Sequence, residues 1–457
     1  MIDQEHLQEE IEAALAKHNG VGVSVAIYQG GELVQAAAGL ANNVSGVEMT
    51  TDTVMHIGSI TKIFNTTLVM QLVDEGVVSL DDPISKHLPE LVIGDRGALE
   101  RVTVQMLVNH SSGIDGEIVP EHGHDLETIA HAIPRFADME QIHEPGEDCS
   151  YCNTATVIAG YMCQQLTETS WYDLVKERIF APLGMEHAVA LPEDALLHRA
   201  SVGHFLNPET KECVRTTFAF LPLSFAPAGA TLMMSAKALV AFARAHMNDG
   251  VGDNGERMLS AESARAMRTK TIDYQGVGFA GGFGLGWMLN DDGSCGHGGG
   301  GPGILSWLTI APEKDFAIAV LTNVEHGGLI IEELMRPHLE EQGLSYFADA
   351  LKEADEKPDV DAPAGETFVG SYGNCSMTTE ILAQDDGYAI RIKPKFKFYD
   401  SMSLDWSPSM PIRFVADDVF VSALAMGPSG SVYRLVNFDN GKAGHLATGG
   451  RLYKRED

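Results

Sequence analysis

The chain has 457 residues, enough for a large core and for more than one domain. Its 44% hydrophobic and 21% charged residues are ordinary for a folded soluble protein, which sets aside the disordered and fibrous classes. Lys plus Arg total 31 against 64 Asp plus Glu, a formal charge of -33, and that excess excludes nucleic acid or an acidic membrane face as the main partner.

The first twenty residues, MIDQEHLQEEIEAALAKHNG, place Leu7, Ile11, Ala14 and Leu15 at helical spacing. They lack the basic start and apolar core of a secretory leader. No apolar run approaches the ~18 residues of a membrane span. A soluble cytoplasmic protein is therefore expected. VGVSVAIYQ (21–29) and ELVQAAAGL (32–40) read as strands joined in a hairpin across Gly30 and Gly31.

HIGSITKIFNTTLVMQLVDEG (56–76) follows, with Ser59 and Lys62 three positions apart where an apolar-periodic run begins. Residues 103–114, TVQMLVNHSSGI, predict a helix stopped by Gly113. His122 and His124 in PEHGHDLE read as a solvated loop rather than metal ligands. From 125 to 250 the pattern is mostly helical. NTATVIAGYMCQQL (153–166) and SAKALVAFARAHMNDG (235–250) are the clearest helices, the second with Ser235 as N-cap and Gly250 beyond its end. Six cysteines make no disulfide framework in so long a chain. Cys149 and Cys152 have C-x-x-C spacing, but no second pair stands at zinc-finger distance, so two reduced cysteines are expected.

Strand patterns return at 283–290, 304–312 and 316–323, and a helix follows over 329–343. Strands at both ends with helices between give an α+β class. The stretch LKEADEKPDVDAPAGE (351–366) is charged and carries Pro358 and Pro363, the composition of a linker. Beyond it, short alternating segments separated by turn residues predict a small all-β barrel or sandwich. The expected organisation is a catalytic domain over 1–350, a linker over 351–366 and a β domain over 367–457.

A serine hydroxyl is a weak nucleophile until a base takes its proton. Residues i and i+3 of a helix share a face, so Lys62 would sit beside Ser59, and enclosure disfavours the charged amine. A helix N-terminus also offers free N–H groups to a developing oxyanion. The plainer alternative is that Ser59 caps the helix and Lys62 is a solvated residue in its first turn.

The run 56–76, with VSLDDPISKHLPEL and TVQMLVNHSSGI after it, resembles the serine β-lactamase and penicillin-binding-protein superfamily over roughly residues 10–340. The class C β-lactamases, the esterases similar to them and the D-aminopeptidases are the nearest branch. The resemblance implies a β-lactamase-like fold, an antiparallel sheet flanked by helices plus an all-helical subdomain. FVGSYGN and the β-rich end are similar to the lipocalin-like barrel appended in many members, for which a mainly structural role is expected. The family's Y-x-N element matches Tyr151-Cys152-Asn153, in preference to Tyr372-Gly373-Asn374. Its K-T-G element matches His297-Gly298-Gly299, in preference to His326-Gly327-Gly328.

By this resemblance Ser59 is the nucleophile, Lys62 and Tyr151 move protons, and the N–H groups of Ser59 and Gly300 hold the oxyanion. Asn153, His297 and Gly299 are the substrate-contacting positions, with His297 bonding either the substrate or Tyr151, and Asn153 doubles as a candidate N-cap. Histidine where the family carries lysine removes a fixed positive charge and points away from a classical β-lactamase. The expected activity is a serine hydrolase cleaving amide or peptide bonds, including those of D- or unusual amino acids. A carboxylesterase is the alternative, ahead of a transacylase or a silent binding or filament protein. No metal or organic cofactor is implied. The partner is a small-molecule or short-peptide substrate, and a homo-oligomer remains open.

Overall fold

The amphipathic start folds as helix α1 (Gln4–Lys17), and the Asp3 carboxylate caps it by accepting the Glu5 N–H at 3.3 Å. The computed structural model describes residues 3–116, 127–395, 404–423 and 431–457; His122 and His124 lie outside them. Strands β1 (Gly22–Gln29) and β2 (Glu32–Asn42) form the expected hairpin, with Gly30 and Gly31 both at positive φ, as a two-residue hairpin turn requires. They join β3 (Val47–Glu48), β4 (Gly282–Phe283), β5 (Met288–Leu289), β6 (Cys295–Gly301), β7 (Ile304–Ala311) and β8 (Phe316–Thr322) in one antiparallel sheet. Its order is β3-β2-β1-β8-β7-β6-β5-β4.

Every residue of β8 is buried, which makes it the middle of the sandwich. On one face, Leu7 and Ile11 of α1 and Ile330 and Leu334 of α6 (Gly328–Glu341) pack against Val25, Ile318 and Val320. On the other lies the helical half, built on α2 (Thr61–Asp74), α4 (Asn153–Thr167) and α5 (Ala236–Met247). Ser235 caps α5 by accepting the Ala238 N–H at 3.2 Å. Among the described residues no helix is long and apolar enough to cross a membrane.

Three local readings are corrected. The helix expected over 103–114 is only α3 (Val104–Val108): Asn109 Oδ1 accepts from the Ser111 N–H and hydroxyl, and His110 turns left-handed at φ +66. Such side-chain bonds compete with helical ones. The strand expected over 283–290 is split into β4 and β5 by Gly286 at φ +77, where any Cβ would lie 2.7 Å from Thr66 Oγ1. The linker begins inside helix α7 (Asp349–Glu356), because Leu351 and Ala354 bury against Val415, Val421 and Val432. Pro358 and Pro363 fall outside helix and strand beyond it.

The C-terminal strands close an eight-stranded antiparallel barrel: β9 (Gly370–Gly373), β10 (Met377–Gln384), β11 (Gly387–Pro394), β12 (Met410–Ala416), β13 (Val419–Ser422), β14 (Ser431–Asp439), β15 (Lys442–Thr448) and β16 (Arg451–Arg455). Phe368, Tyr372, Phe414, Phe420 and Tyr433 fill it.

Candidate active site

Residues 58–60 form a tight 3-10 turn, and α2 starts at Thr61. Ser59 caps neither element, so the plain N-cap reading does not hold. Gly58 sits at φ +53 with its α-carbon pressed on β6; a Cβ there would lie 2.6 Å from the Gly300 nitrogen. At Gly299 a Cβ would lie 1.9 Å from the Ile57 carbonyl oxygen. The Ser306 hydroxyl bonds that same carbonyl at 2.9 Å. The glycines of β6 thus bring the strand edge onto the serine turn. His56 ties the turn from behind, accepting the Gly58 N–H on Nδ1 at 3.3 Å and donating from Nε2 to the Ala230 carbonyl at 2.8 Å.

Lys62 is 1% exposed. Its Nζ lies 3.0 Å from Ser59 Oγ, 2.6 Å from the Ala228 carbonyl, and 4.8 Å from the centre of the Tyr151 ring. A lysine so enclosed is not the solvated first-turn residue of the plainer reading.

Tyr151 arrives from a distant loop and is gripped through three successive amides. The Ser150 N–H donates to the His110 carbonyl (2.9 Å), the Tyr151 N–H to the Gly450 carbonyl (2.9 Å), and the Cys152 N–H to His110 Nδ1 (3.2 Å). The His110 ring lies 4.4 Å from the Tyr151 ring, and Phe279 meets it edge-on at 5.7 Å.

Asn153 begins α4 but does not cap it. Cys152 does, its sulfur accepting the Ala155 N–H at 3.3 Å. The thiol of Cys149 is buried and its pKa is pushed up by that burial. Neither cysteine forms a disulfide. The C-x-x-C spacing is accounted for by a cap and a core residue.

His297 on β6 is 2% exposed and faces the Tyr151 ring at 6.0 Å between centres. Its Nδ1–H donates to the Gly298 carbonyl at 2.6 Å, leaving Nε2 as an acceptor without a partner among the described residues. Burial first, and the positive charge of Lys62 second, lower its pKa to about 3, so the ring is neutral near pH 7. Burial and the charges of Lys62 and Arg451 hold His110 well below the usual histidine range too.

Sequence reasoning missed two of these side chains. His110 lies within the quoted LVNHSSGI, but nothing in those letters tells of the stacking. Arg451 comes from the barrel, after the Gly449-Gly450 turn, and its guanidinium carbon stands 4.9 Å from the centre of the Tyr151 ring. The barrel was expected to be mainly structural, yet it reaches the cleft. Gly450 donates its N–H to the Tyr274 hydroxyl oxygen (3.0 Å), and Leu452 donates to Ser150 Oγ (3.1 Å). The rival letter matches lie elsewhere: His326 bonds the His18 carbonyl beside α1, and Tyr372 is in the barrel core.

Ser59, Tyr151, His297, Gly299, Gly300 and Arg451 line one cleft of about 300 Å³. It holds a hydroxyl, a phenol and a guanidinium around one open volume, with the enclosed Lys62 amine 3.0 Å from the hydroxyl, the parts for nucleophilic attack and proton transfer on a carbonyl. Among the described residues no three His, Cys, Asp or Glu side chains gather as a metal site.

A family model described as Beta-lactamase matches residues 7–333. Penicillin-binding protein 4 of Amycolatopsis lactamdurans is 34% identical over 377 residues, which cover 80% of this chain and 94% of that one. SurE, solved alone and with D-Leu, superposes at TM-scores of 0.77 and 0.74 with 26% identity, covering 99% of this chain and 98% and 99% of those chains. The D-amino acid amidase of Ochrobactrum anthropi SV3 shares the fold at a TM-score of 0.62 with 23% identity, over 74% of this chain and 99% of that one.

Proposed function

The chain belongs to the Beta-lactamase family, whose fold supports serine hydrolases acting on amides and esters, and from that premise we propose that it cleaves amide bonds through an acyl-enzyme on Ser59. The observation that carries this reading is the 3.0 Å approach of Lys62 Nζ to Ser59 Oγ, on the wall of the cleft. Ser59 Oγ bonds to the substrate carbonyl carbon as its proton passes to the neutral amine of Lys62. The carbonyl oxygen becomes an oxyanion held by the N–H groups of Ser59 and Gly300. The oxyanion collapses, the carbon–nitrogen bond breaks, and the amine leaves with the proton delivered through Tyr151. Water then attacks the ester, giving its proton to the same pair, and the acid departs as Ser59 regains its hydrogen. To accept that proton Lys62 must be in its neutral form, in which it no longer adds its charge to the field on His297; burial, the larger cause, holds that ring neutral in either case. Asn153 and the bare edge at Gly299 would hold the substrate backbone.

Neutral His297 supplies no fixed charge for a substrate carboxylate, whereas Arg451 brings a guanidinium from the barrel into the lining of the cleft. That favours a short peptide or acylated amino acid with a free carboxylate beside the scissile bond. The D-Leu bound to SurE, 26% identical along nearly the whole chain, supports a D-residue in that place.

The test is covalent. A fluorophosphonate should modify Ser59, as located by mass spectrometry, and Ser59→Ala should abolish turnover of D- and L-aminoacyl anilides, p-nitrophenyl esters and nitrocefin. Turnover retained by Ser59→Ala on all of them would falsify the assignment. Faster cleavage of esters than of every amide would favour the carboxylesterase alternative.

A further inference from the structure

Past Tyr151 the cleft turns apolar, and its wall is formed by aromatic rings that pack on the core on one side and line the cleft on the other. Trp307 on β7 and Phe347, in the loop between α6 and α7, stack with ring centres 3.4 Å apart and planes 11° from parallel. Both remain half-buried in the cleft lining. Trp307 stands opposite Gly298 in the β6–β7 register, and a Cβ at 298 would lie 2.4 Å from the indole. The glycine therefore lets the ring lie on the strand between His297 and Gly299. The one polar atom of the indole is engaged, since Nε1–H donates to Thr309 Oγ1 at 3.1 Å. Phe279 and Met288 continue the wall toward Tyr151, and Leu329 at the start of α6 is 53% exposed. Concave apolar surface joined to a few polar groups is the signature of a small-ligand pocket.

The side of the scissile bond follows from Tyr151. In the acyl-enzyme reading, on which this inference rests, that phenol hands its proton to the departing amine. Phe279, which touches the phenol ring, and Arg451, which lies over it, then face the leaving group. We propose that Trp307, Phe347 and Phe279 form a subsite for a large apolar side chain, Leu- to Phe-sized, on the residue released as the amine. Among the described residues the pairing of β5 with β6 ends at Gly296, so the strand runs on past His297 to Gly301 without β5 beside it.

Free amino acids are the released products under this reading, so they should shield Ser59 from a fluorophosphonate. With the full-length protein, the apparent inhibition constants of D- and L-Ala, Leu and Phe against labelling are measured. Leu and Phe of the favoured stereoisomer should shield about ten- to a hundredfold better than Ala, the range for filling a hydrophobic pocket. That ratio should fall below about threefold in Trp307→Ala and in the milder Phe347→Leu. Using the ratio divides out any general loss of reactivity, and the second variant serves if the first fails to fold. Equal shielding by Ala and Phe in the wild type, or an unchanged ratio in both variants, overturns the subsite while leaving the nucleophile standing. Absence of labelling at Ser59 overturns the acyl-enzyme reading and the subsite with it.

Discussion

Lys62 has the longest polar reach of any side chain on α2, and it spends that reach entirely inside the protein, between the Ser59 hydroxyl and the Ala228 carbonyl. Burying such a group is costly unless its tip is matched, and here the match is the group it would activate. The neighbouring residues divide the charge. His297 stays neutral down to about pH 3, so its protonation should leave no inflection near pH 6.5 in the rate profile. Arg451 is the cationic side chain in the lining of the cleft. We expect Arg451→Ala to raise KM about tenfold for an acyl peptide with a free C-terminal carboxylate, the usual scale for a hydrogen bond to a charged group. The matching carboxamide should change little. Steady-state kinetics on the pair measures this, and equal losses on both would remove Arg451 from carboxylate recognition.

At the scale of elements, the serine turn and β6 meet backbone to backbone. The pairing of Gly58 with Gly300 and of Gly299 with Ile57 leaves no room for a methyl group. Gly299→Ala must push the strand off the turn, since the blocking atom at 1.9 Å is a carbonyl oxygen rather than a flexible side-chain end. A donor displaced from an oxyanion costs about a hundred- to a thousandfold in rate. The expected result is a fall of that size in the rate of fluorophosphonate labelling, with the protein still folded by circular dichroism. A labelling rate within a few fold of wild type would show that the strand edge is dispensable. His110 plays the corresponding part for Tyr151. Its left-handed backbone ends α3 and lets one residue hold the amides on both sides of the phenol.

Across the whole molecule, acid should act through buried imidazoles. His56, His246 and His297 have pKa values lowered to about 4, 3 and 3, chiefly by burial. In the unfolded chain these rings take a proton below about pH 6.5, whereas in the folded one they refuse it. Stability is therefore full above pH 6.5 and is lost as pH falls toward the folded values. At pH 5 each contributes a loss of about 2 kcal/mol. Thermal melts between pH 7 and 4.5 should show a steep fall in Tm, and His246→Gln, remote from the cleft, should make that fall shallower. A Tm flat across the range would contradict the burial of neutral rings. The barrel belongs to this scale too, because Gly450 holds the Tyr151 amide and Arg451 lies over its ring, so loosening the barrel should also loosen the cleft.

By itself, the sequence determined the α+β class, the hairpin, the principal helices, the terminal all-β segments and the family, because period, turn glycines and motif letters are local properties of the chain. It also brought forward Ser59 and Lys62, since residues three apart in a helical turn are neighbours whatever surrounds them. It could not foresee that His110 grips Tyr151, that Cys152 rather than Asn153 caps α4, or that 349–356 is helical. Capping turned on which side chain could reach a free amide, and the helix on burial against the barrel. Arg451 and the Trp307–Phe347 stack were decided only by tertiary structure: each depends on contacts between segments far apart in sequence, which pattern and propensity do not encode.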